Sequence, residues 1–140
     1  MSVAPLQRIL VAVDFSSCSR KALAFAWQLA GQLGAQLEAV YVIQVDSGTT
    51  TTPSEAELSA AREELRRFVA GVVNTAPVKE RVEVGDARER IVSVCDDEAF
   101  DAIVVGTHGR TGRARALAGS VAESVVRMAS RPVVTVRETS

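Results

Sequence analysis

Five short stretches of aliphatic residues alternate with segments whose apolar residues recur at helical spacing, and this alternation constrains the fold more than any other feature. The five stretches are residues 8–14, 36–45, 78–84, 101–106 and 131–138. The first reads RILVAVD, a nearly continuous aliphatic run that is typical of a parallel strand buried on both faces. The predicted order is β-α-β-α-β-α-β-α-β. Such strict alternation predicts a parallel sheet with helices on both faces and right-handed crossovers.

Capping residues predict where the four intervening helices begin, because Ser and Asp side chains accept hydrogen bonds from the first free N–H groups of a helix. The N-cap signals are Ser16 or Ser17, Ser54 with Glu57, Asp86 with Glu89, and Ser120 with Glu123. Gly34 is a natural stop for the first helix. Its predicted inner face comprises Cys18, Ala22, Phe25, Ala26, Leu29, Ala30 and Leu33.

Composition and charge restrict the class of protein. The chain has 140 residues, 47% hydrophobic and 24% charged, which is ordinary for one globular domain. A formal net charge of −1 provides no overall positive field for nucleic acid or a membrane surface. The N-terminal residues become charged too early for a signal peptide. We therefore expect a single domain over residues 1–140, a cytoplasmic location, and neither nucleic acid nor a membrane as partner.

The two cysteines, Cys18 and Cys95, lie far apart and in no C-x2-C pattern, which argues against a disulfide framework or a metal motif. Both fall on apolar faces of predicted helices. We expect them to be buried and to pack as small hydrophobic side chains. The alternative is a reactive thiol at Cys18, because thiols close to a helix N-terminus are activated.

The segment GTHGRTGRARALAGS, residues 106–120, follows the fourth predicted strand and carries four glycines, three arginines and the only histidine. It contains neither the G-K-[ST] of a Walker loop nor G-x-G-x-x-G. Gly106 and Gly109 would turn successive N–H groups inward as an anion nest. Gly119 and Ser120 would open a helix whose free N–H groups favour phosphate. The alternative is a tight strand-to-helix connection in which the glycines serve only to turn the chain.

Ligands of open parallel sheets bind beyond the carboxyl ends of the strands, where the strand order reverses. The first predicted strand ends at Asp14 and the fourth at Gly106. If these strands are neighbours, the two residues face one crevice. Asp14 would then accept hydrogen bonds from ribose hydroxyls or a base amine, or it would cap the following helix.

The spacing of these glycines resembles that of the universal stress protein family, whose nucleotide-binding branch carries G-x2-G-x9-G-[ST]. Gly106, Gly109, Gly119 and Ser120 match this pattern completely. The flanking stretches RILVAVDFS, DAIVVGTHGRTG and GSVAESVVRMASRPVVTVR are also similar, so the resemblance extends over essentially the whole chain. It implies a Rossmann-like, five-stranded parallel sheet of order 3-2-1-4-5.

The resemblance also implies a ligand, ATP or else AMP or ADP, often accompanied by Mg²⁺ or Mn²⁺. Asp14 would be the polar contact to adenosine, and the main chain of Val42 would read the adenine edge. The full set of implied nucleotide-binding residues is Ala12, Val13, Asp14, Val42, Gly106, Thr107, His108, Gly109, Arg110, Gly119, Ser120 and Val121. The family typically dimerises through its last strand, here residues 132–137, from Pro132 to Arg137.

Catalysis is less well supported than binding. Phosphoryl transfer needs a charge clamp, a metal ligand and a base, and no Walker lysine adjoins these glycines. For His108 we favour a structural or phosphate-neighbouring role over general acid–base chemistry. Arg110, Arg113 and Arg115 would neutralise phosphates or form a solvated loop face. Three hypotheses follow: a nucleotide-dependent switch or sensor in stress response or signalling, a slow ATPase or autophosphorylating protein, and a dimeric scaffold without nucleotide. The intact motif favours the first over the third.

Overall fold

The computed structural model describes residues 5–45, 52–73, 77–107 and 121–138. Strands and helices alternate within these ranges in the predicted order. Their bounds are β1 Arg8–Val13, α1 Ser17–Leu33, β2 Gln36–Gln44, α2 Glu55–Val72, β3 Lys79–Gly85, α3 Ala87–Asp97, β4 Ala102–Gly106, α4 Val121–Met128 and β5 Val133–Val136. The strands begin or end within two residues of the predicted positions. None of the helices described here is long and apolar enough to span a membrane.

The strands form one parallel sheet in the order β3-β2-β1-β4-β5. This confirms the order 3-2-1-4-5 that the family resemblance implied. Because β1 lies in the centre, the chain moves outward to β2 and β3 on one side and to β4 and β5 on the other. The strand order therefore reverses between β1 and β4, where a ligand crevice is expected in such sheets.

Side chains of β1 alternate between two hydrophobic cores, one on each face of the sheet. Ile9, Val11 and Val13 belong to the first core, and Leu10 and Ala12 belong to the second. All five are buried. The period of two explains why an uninterrupted aliphatic sequence is required here, since both faces of the strand exclude water.

Two helices cover each face, which confirms the predicted layers. Helices α1 and α2 enclose the first core with side chains such as Leu23 and Phe68. Helices α3 and α4 enclose the second with Ile91 and Val125. Full burial of one such aliphatic or aromatic side chain contributes about 1.5–3 kcal/mol, so the four amphipathic helices are held to the sheet chiefly by these contacts.

The predicted caps are present at three helices. Ser16 accepts a hydrogen bond from the Ser19 N–H, and Ser54 forms a complete capping box with Glu57. Asp86 accepts from the N–H of Arg88 at the start of α3. Helix α1 ends at Gly34, whose φ of 66° lies in the left-handed region that favours glycine. The capping residues in the sequence thus predicted these helix ends correctly.

The predicted inner face of α1 was partly wrong. Phe25 and Leu33 are 39% and 46% exposed, whereas Leu23 is fully buried. The buried stripe includes Ser19 and Leu23, so the helix is rotated toward these residues and Phe25 lies at the border of the face. Leu33 is the last residue of α1. Helical periodicity predicts how wide the apolar stripe of a helix is. The surface against which the helix packs determines which residues of that stripe are buried.

On the face of the sheet that α3 covers, strands β2 and β3 carry a network of charged side chains. Glu38 is only 6% exposed, and its carboxylate accepts a hydrogen bond from Arg81 Nε at 2.6 Å. Arg81 also contacts Glu83 at 3.2 Å and Glu98 at 3.5 Å. Arg90 donates to Glu83 at 2.8 Å. The buried carboxylate is therefore paired, as an ionised group away from water must be.

The Glu83→Gln substitution tests this network. Burial alone raises the pKa of Glu83, but hydrogen bonds from Arg90 and Arg81 outweigh burial and hold this pKa below its ordinary value. A carboxyl group with a lowered folded-state pKa stabilises the fold above its unfolded-state pKa, and this contribution is lost as the pH falls through the folded-state pKa. We expect the substitution to cost about 1–2 kcal/mol at pH 7 and progressively less at acidic pH.

Denaturant unfolding of both proteins between pH 7 and pH 3 measures this difference. Glu63→Gln is the matched control, because it removes an ion pair with Arg66 in which both side chains are exposed. A Glu83→Gln penalty that stays constant over the pH range would contradict the electrostatic origin of the effect.

Candidate functional site

The candidate site is the crevice above the carboxyl end of β1, between β2 and β4. The last residue of β1 that pairs with β2 is Val13, opposite Tyr41. Strand β2 continues beyond this point and pairs with β3 alone through Gln44. On the other side, β4 ends at Gly106, which pairs with Val136 of β5. The end of β1 is therefore flanked by two neighbouring strands, and Asp14 follows it directly.

Asp14 stabilises the turn from β1 into α1. Its carboxylate Oδ1 accepts hydrogen bonds from the Ser16 N–H at 3.0 Å and from the Ser16 hydroxyl at 2.5 Å. Its own N–H donates to Ser19 Oγ at 3.0 Å. The residue is half-buried. Ser16, not Asp14, is therefore the N-cap of α1, and Asp14 contributes to the cap only by orienting Ser16. The same bonds hold the side chain rigidly at the crevice.

Phe15, the next residue, adopts φ of 68°, a left-handed conformation that is costly for a bulky side chain. Its ring lies 4.5 Å from the ring of Tyr41 and 5.4 Å from that of Phe68, measured between centroids. These aromatic contacts hold the strained turn closed. Sequence reasoning missed the role of Phe15, because no sequence pattern at a strand-to-helix junction indicates a positive φ at a residue other than glycine.

At Gly106 the main chain of β4 lies close to α1. A Cβ at this position would lie 2.9 Å from Cys18 Sγ and 3.1 Å from the Cys18 carbonyl oxygen. The Cys18 thiol is 1% exposed and donates to the Val136 carbonyl oxygen at 3.2 Å. This glycine is therefore required by packing, whatever its role toward a ligand. The contact also confirms Cys18 as a buried side chain and leaves no access for a reactive thiol.

Cys95 is buried as predicted. Its thiol is 1% exposed and donates to the Phe100 carbonyl oxygen at 3.7 Å. Burial, reinforced by the negative charge of Asp96, raises the pKa of Cys95 to about 11. Both cysteines thus serve as packing residues.

Thr107 ends the described part of the glycine-rich segment. Its N–H donates to the Val136 carbonyl oxygen at 2.9 Å, which fixes its main chain against β5. The residue is 7% exposed, and within the described ranges no group forms a hydrogen bond with its hydroxyl. A buried hydroxyl without a partner costs about 1–3 kcal/mol. A ligand that forms a hydrogen bond with this hydroxyl would relieve that cost, which makes the hydroxyl the strongest candidate in the crevice for contact with a ligand.

The structure places seven of the twelve predicted nucleotide-binding residues. Ala12, Val13 and Val42 are buried, and their side chains belong to the cores, so only their main chain is available to a ligand. Val121 is the first residue of α4 and packs against the second core. Asp14, Gly106 and Thr107 lie at the crevice as described above. The other five, His108, Gly109, Arg110, Gly119 and Ser120, lie outside the described residues.

A divalent cation would find few protein ligands here. The described ranges contain no group of three or more His, Cys, Asp or Glu side chains arranged to hold a metal ion. Mg²⁺ commonly takes one or two carboxylates and completes its shell with phosphate oxygens and water.

The Gly106→Ala substitution tests the close approach of β4 to α1. The added Cβ falls within 3.2 Å of three Cys18 atoms, two of them main-chain atoms that cannot rotate away. We expect a loss of about 1–3 kcal/mol in the free energy of unfolding. Gly31→Ala is the matched control, because no atom lies within 4 Å of its Cβ, and helix propensity favours alanine there. Denaturant unfolding that shows equal effects at both positions would contradict the packing argument.

Residues 5–137 match the universal stress protein family. Among curated proteins, Universal stress protein MJ0531 of Methanocaldococcus jannaschii is 31% identical over 141 aligned residues, which cover 94% of this chain and 82% of that protein. Universal stress protein MJ0577 of the same organism is 40% identical over 60 residues, 43% of this chain and 37% of that protein. The second match thus spans little more than a third of the relative's length.

Solved structures show the same fold. Universal stress protein UspA from Lactobacillus plantarum has a TM-score of 0.77 at 27% identity, covering 96% of this chain and all of that one. A universal stress protein in complex with cAMP has a TM-score of 0.71 at 26% identity, with 96% and 98% covered. The Archaeoglobus fulgidus universal stress protein in complex with dAMP has a TM-score of 0.69 at 28% identity, with 93% and 97% covered. This chain therefore belongs to the universal stress protein family.

Proposed function

We propose that this chain binds an adenine nucleotide, ATP or else AMP or ADP, in the crevice above β1 and acts as a nucleotide-dependent switch or sensor in a stress response. The observation that carries the proposal is the buried Thr107 hydroxyl at the point where the strand order reverses. The two similar structures in complex with cAMP and dAMP support adenosine as the ligand's core. Such a ligand suits the cytoplasmic location expected from the sequence.

The adenosine end of the ligand belongs beside β1 and β2. Val42 lies one residue beyond the pairing of Tyr41 with Val13, so its main chain borders the crevice rather than β1. Main-chain groups of Ala12 and Val13 form the adjoining floor. Asp14 carries a carboxylate that is already oriented by Ser16, and a carboxylate so placed accepts ribose hydroxyls. Holding it away from the phosphates avoids like-charge repulsion.

The phosphate end belongs beside β4 and α4. Gly106 and Thr107 lead into the rest of the motif, and α4 begins at Val121, the residue after the motif's serine. Free N–H groups and the dipole at the start of a helix attract phosphate. His108, Gly109, Arg110, Gly119 and Ser120 complete the proposed site as the motif predicts, and Mg²⁺ or Mn²⁺ would accompany a triphosphate through its own phosphate oxygens.

Binding rather than rapid turnover is the role that these residues support. The groups described at this crevice are the Asp14 carboxylate, the Thr107 hydroxyl and main-chain groups, and we assign them the holding of a ligand rather than the activation of a nucleophile. Fast phosphoryl transfer requires a positioned base or water and a cation clamp. A time course of ADP release with Mg²⁺ distinguishes the switch from a slow ATPase, because the switch keeps bound ATP intact for hours.

The Thr107→Val substitution tests the proposal. Valine matches threonine in shape but removes the buried hydroxyl, so we expect the free protein to become more stable by about 1 kcal/mol. Loss of the hydrogen bond to the ligand should weaken nucleotide affinity about tenfold. Thermal unfolding measures the first effect, and titration calorimetry with ATP and AMP measures the second.

Thr107→Ser is the matched control, since it keeps the hydroxyl and should retain affinity. Unchanged ATP affinity in a folded Thr107→Val protein would refute the role of this hydroxyl. Denaturing the purified wild-type protein and identifying the released nucleotide then names the physiological ligand. Absence of any measurable affinity for ATP, ADP or AMP would overturn the proposed function itself.

We further propose a homodimer through residues 132–137, in which two β5 strands pair edge to edge. Strand β5 lies at the edge of the sheet, so one row of its main-chain N–H and C=O groups faces away from β4. The side chains of its sequence VVTV carry no charge that would hinder another strand from pairing there. Sedimentation should give a mass near twice the 14.9 kDa of one chain. A single-chain mass at all concentrations would contradict the dimer.

A further inference from the structure

The start of α1 holds a carboxylate that comes from a distant part of the sequence. The Ser17 hydroxyl donates to the carboxylate of Glu138, with Oε2 at 2.7 Å and Oε1 as a second acceptor. The two residues lie 121 positions apart. Glu138 is half-buried and follows β5, which ends at Val136. The contact therefore fixes the chain just beyond β5 against the first turn of α1.

This carboxylate supplies negative charge that α1 lacks in its own first turn. No acidic residue belongs to that turn, and the free N–H groups at the start of a helix attract anions. Arg20, three residues after Ser17, holds its guanidinium 5.0 Å from the ring of Phe68 and thus points toward α2. Within the described ranges no basic side chain forms an ion pair with Glu138. Its charge is therefore held by a hydroxyl and a helix end and is not cancelled by a cation.

The Glu138 carboxylate is held close to the end of the crevice to which we assign the phosphates. Cys18, the residue after the serine that holds it, lies against Gly106, and its thiol donates to the Val136 carbonyl oxygen at 3.2 Å. The Thr107 N–H donates to the same oxygen at 2.9 Å. The main chain of Glu138 is two residues farther on, a distance of at most about 7 Å. This is shorter than the screening length of about 10 Å at 0.1 M salt, so its charge acts on a ligand bound at Thr107.

We propose that Glu138 is a specificity-determining residue, whose fixed negative charge biases the crevice toward AMP and against ATP. Each phosphate added to AMP brings further negative charge to the same end of the crevice. Repulsion between like charges grows with that charge, so the penalty increases from AMP through ADP to ATP. The hydrogen bond from Ser17 keeps the carboxylate in place and prevents it from turning away into water. This inference rests on the proposed function, because it concerns the ligand of the same site.

The Glu138→Gln substitution tests the proposal, because glutamine keeps the shape of the side chain and an acceptor for Ser17 but removes the charge. Titration calorimetry of the full-length protein with AMP, ADP and ATP, without divalent cations, measures the effect. We expect ATP affinity to rise about three- to tenfold and AMP affinity to rise less than about twofold, with ADP between them. The matched control is Asp97→Asn, which changes the net charge equally at the exposed end of α3. It should leave all three affinities unchanged.

The Ser17→Ala substitution separates the position of the carboxylate from its charge. It removes the hydroxyl that holds Glu138 and leaves the N-cap, Ser16, in place. We expect part of the gain in ATP affinity that Glu138→Gln gives. The double variant should gain no more than Glu138→Gln alone, since the two residues act through one contact. Repeating the titrations at 1 M salt should reduce the difference between wild type and Glu138→Gln, because the screening length falls to about 3 Å.

The outcomes separate this inference from the proposed function. If wild-type protein binds nucleotides but Glu138→Gln has the same ratio of ATP to AMP affinity, the inference is overturned and the proposed function stands. An equal change of that ratio in Asp97→Asn would show an effect of net charge alone and would also overturn it. If wild-type protein binds none of the three nucleotides, the proposed function is overturned and this inference with it.

Discussion

Complete burial of β1 on both faces is the constraint on which the rest of the structure depends. Ile9, Leu10 and Val11 are fully inaccessible to water, and each contributes to one of two separate cores. A strand that must be covered on both sides needs helices on both sides, and the chain supplies them by crossing over after every strand. The end of this central strand is then the natural position for a ligand, because the connections that follow β1 and β4 lead to opposite sides of the sheet.

The turn after β1 stabilises the fold with the same atoms to which we assign the proposed binding. Asp14 orients Ser16, Ser16 caps α1, and Phe15 accepts a left-handed conformation between two aromatic rings. In the first turn of α1, the Cys18 thiol occupies the space that any side chain at Gly106 would need. The crevice is therefore preorganised by the packing of α1 against β4. A ligand bound beside β1 and β4 would not have to bear the entropic cost of ordering these described parts of the wall.

Sequence reasoning predicted the layers, the element order and the caps of α1, α2 and α3, because each depends on local patterns of burial and hydrogen bonding. The strand order came from the family resemblance, since periodicity alone does not say which strands are neighbours. The rotation of α1 that buries Leu23 and exposes Phe25 was not predictable, because it depends on the surface that the helix covers. The pairing of Glu38 with Arg81 was missed for a similar reason, since these residues lie 43 positions apart and meet only through the β2–β3 register.

For the candidate site, the sequence likewise predicted the location but not the purpose of each residue. Asp14 and Gly106 follow from the rule that ligands bind beyond strand ends, and they lie at the carboxyl ends of the neighbouring strands β1 and β4. What the pattern could not separate was the purpose of each residue. Glycine at position 106 looks like a phosphate-binding glycine, yet its contact with Cys18 alone explains why no other residue fits there. Thr107 carries no strong signal in the sequence, and only its burial gives its hydroxyl importance.

The two edges of the sheet differ in a way that bears on assembly. Strand β3 reads KERVEVG, and its charged side chains belong partly to the network around Glu38 and Arg81, so another strand pairing there would have to displace or bury these charges. Strand β5 reads VVTV and carries no charge. Charged side chains are a common means of blocking an exposed edge, and only β3 has them. Among the described residues, charge thus hinders strand pairing at the β3 edge and not at β5, which is why the proposed dimer is placed at β5.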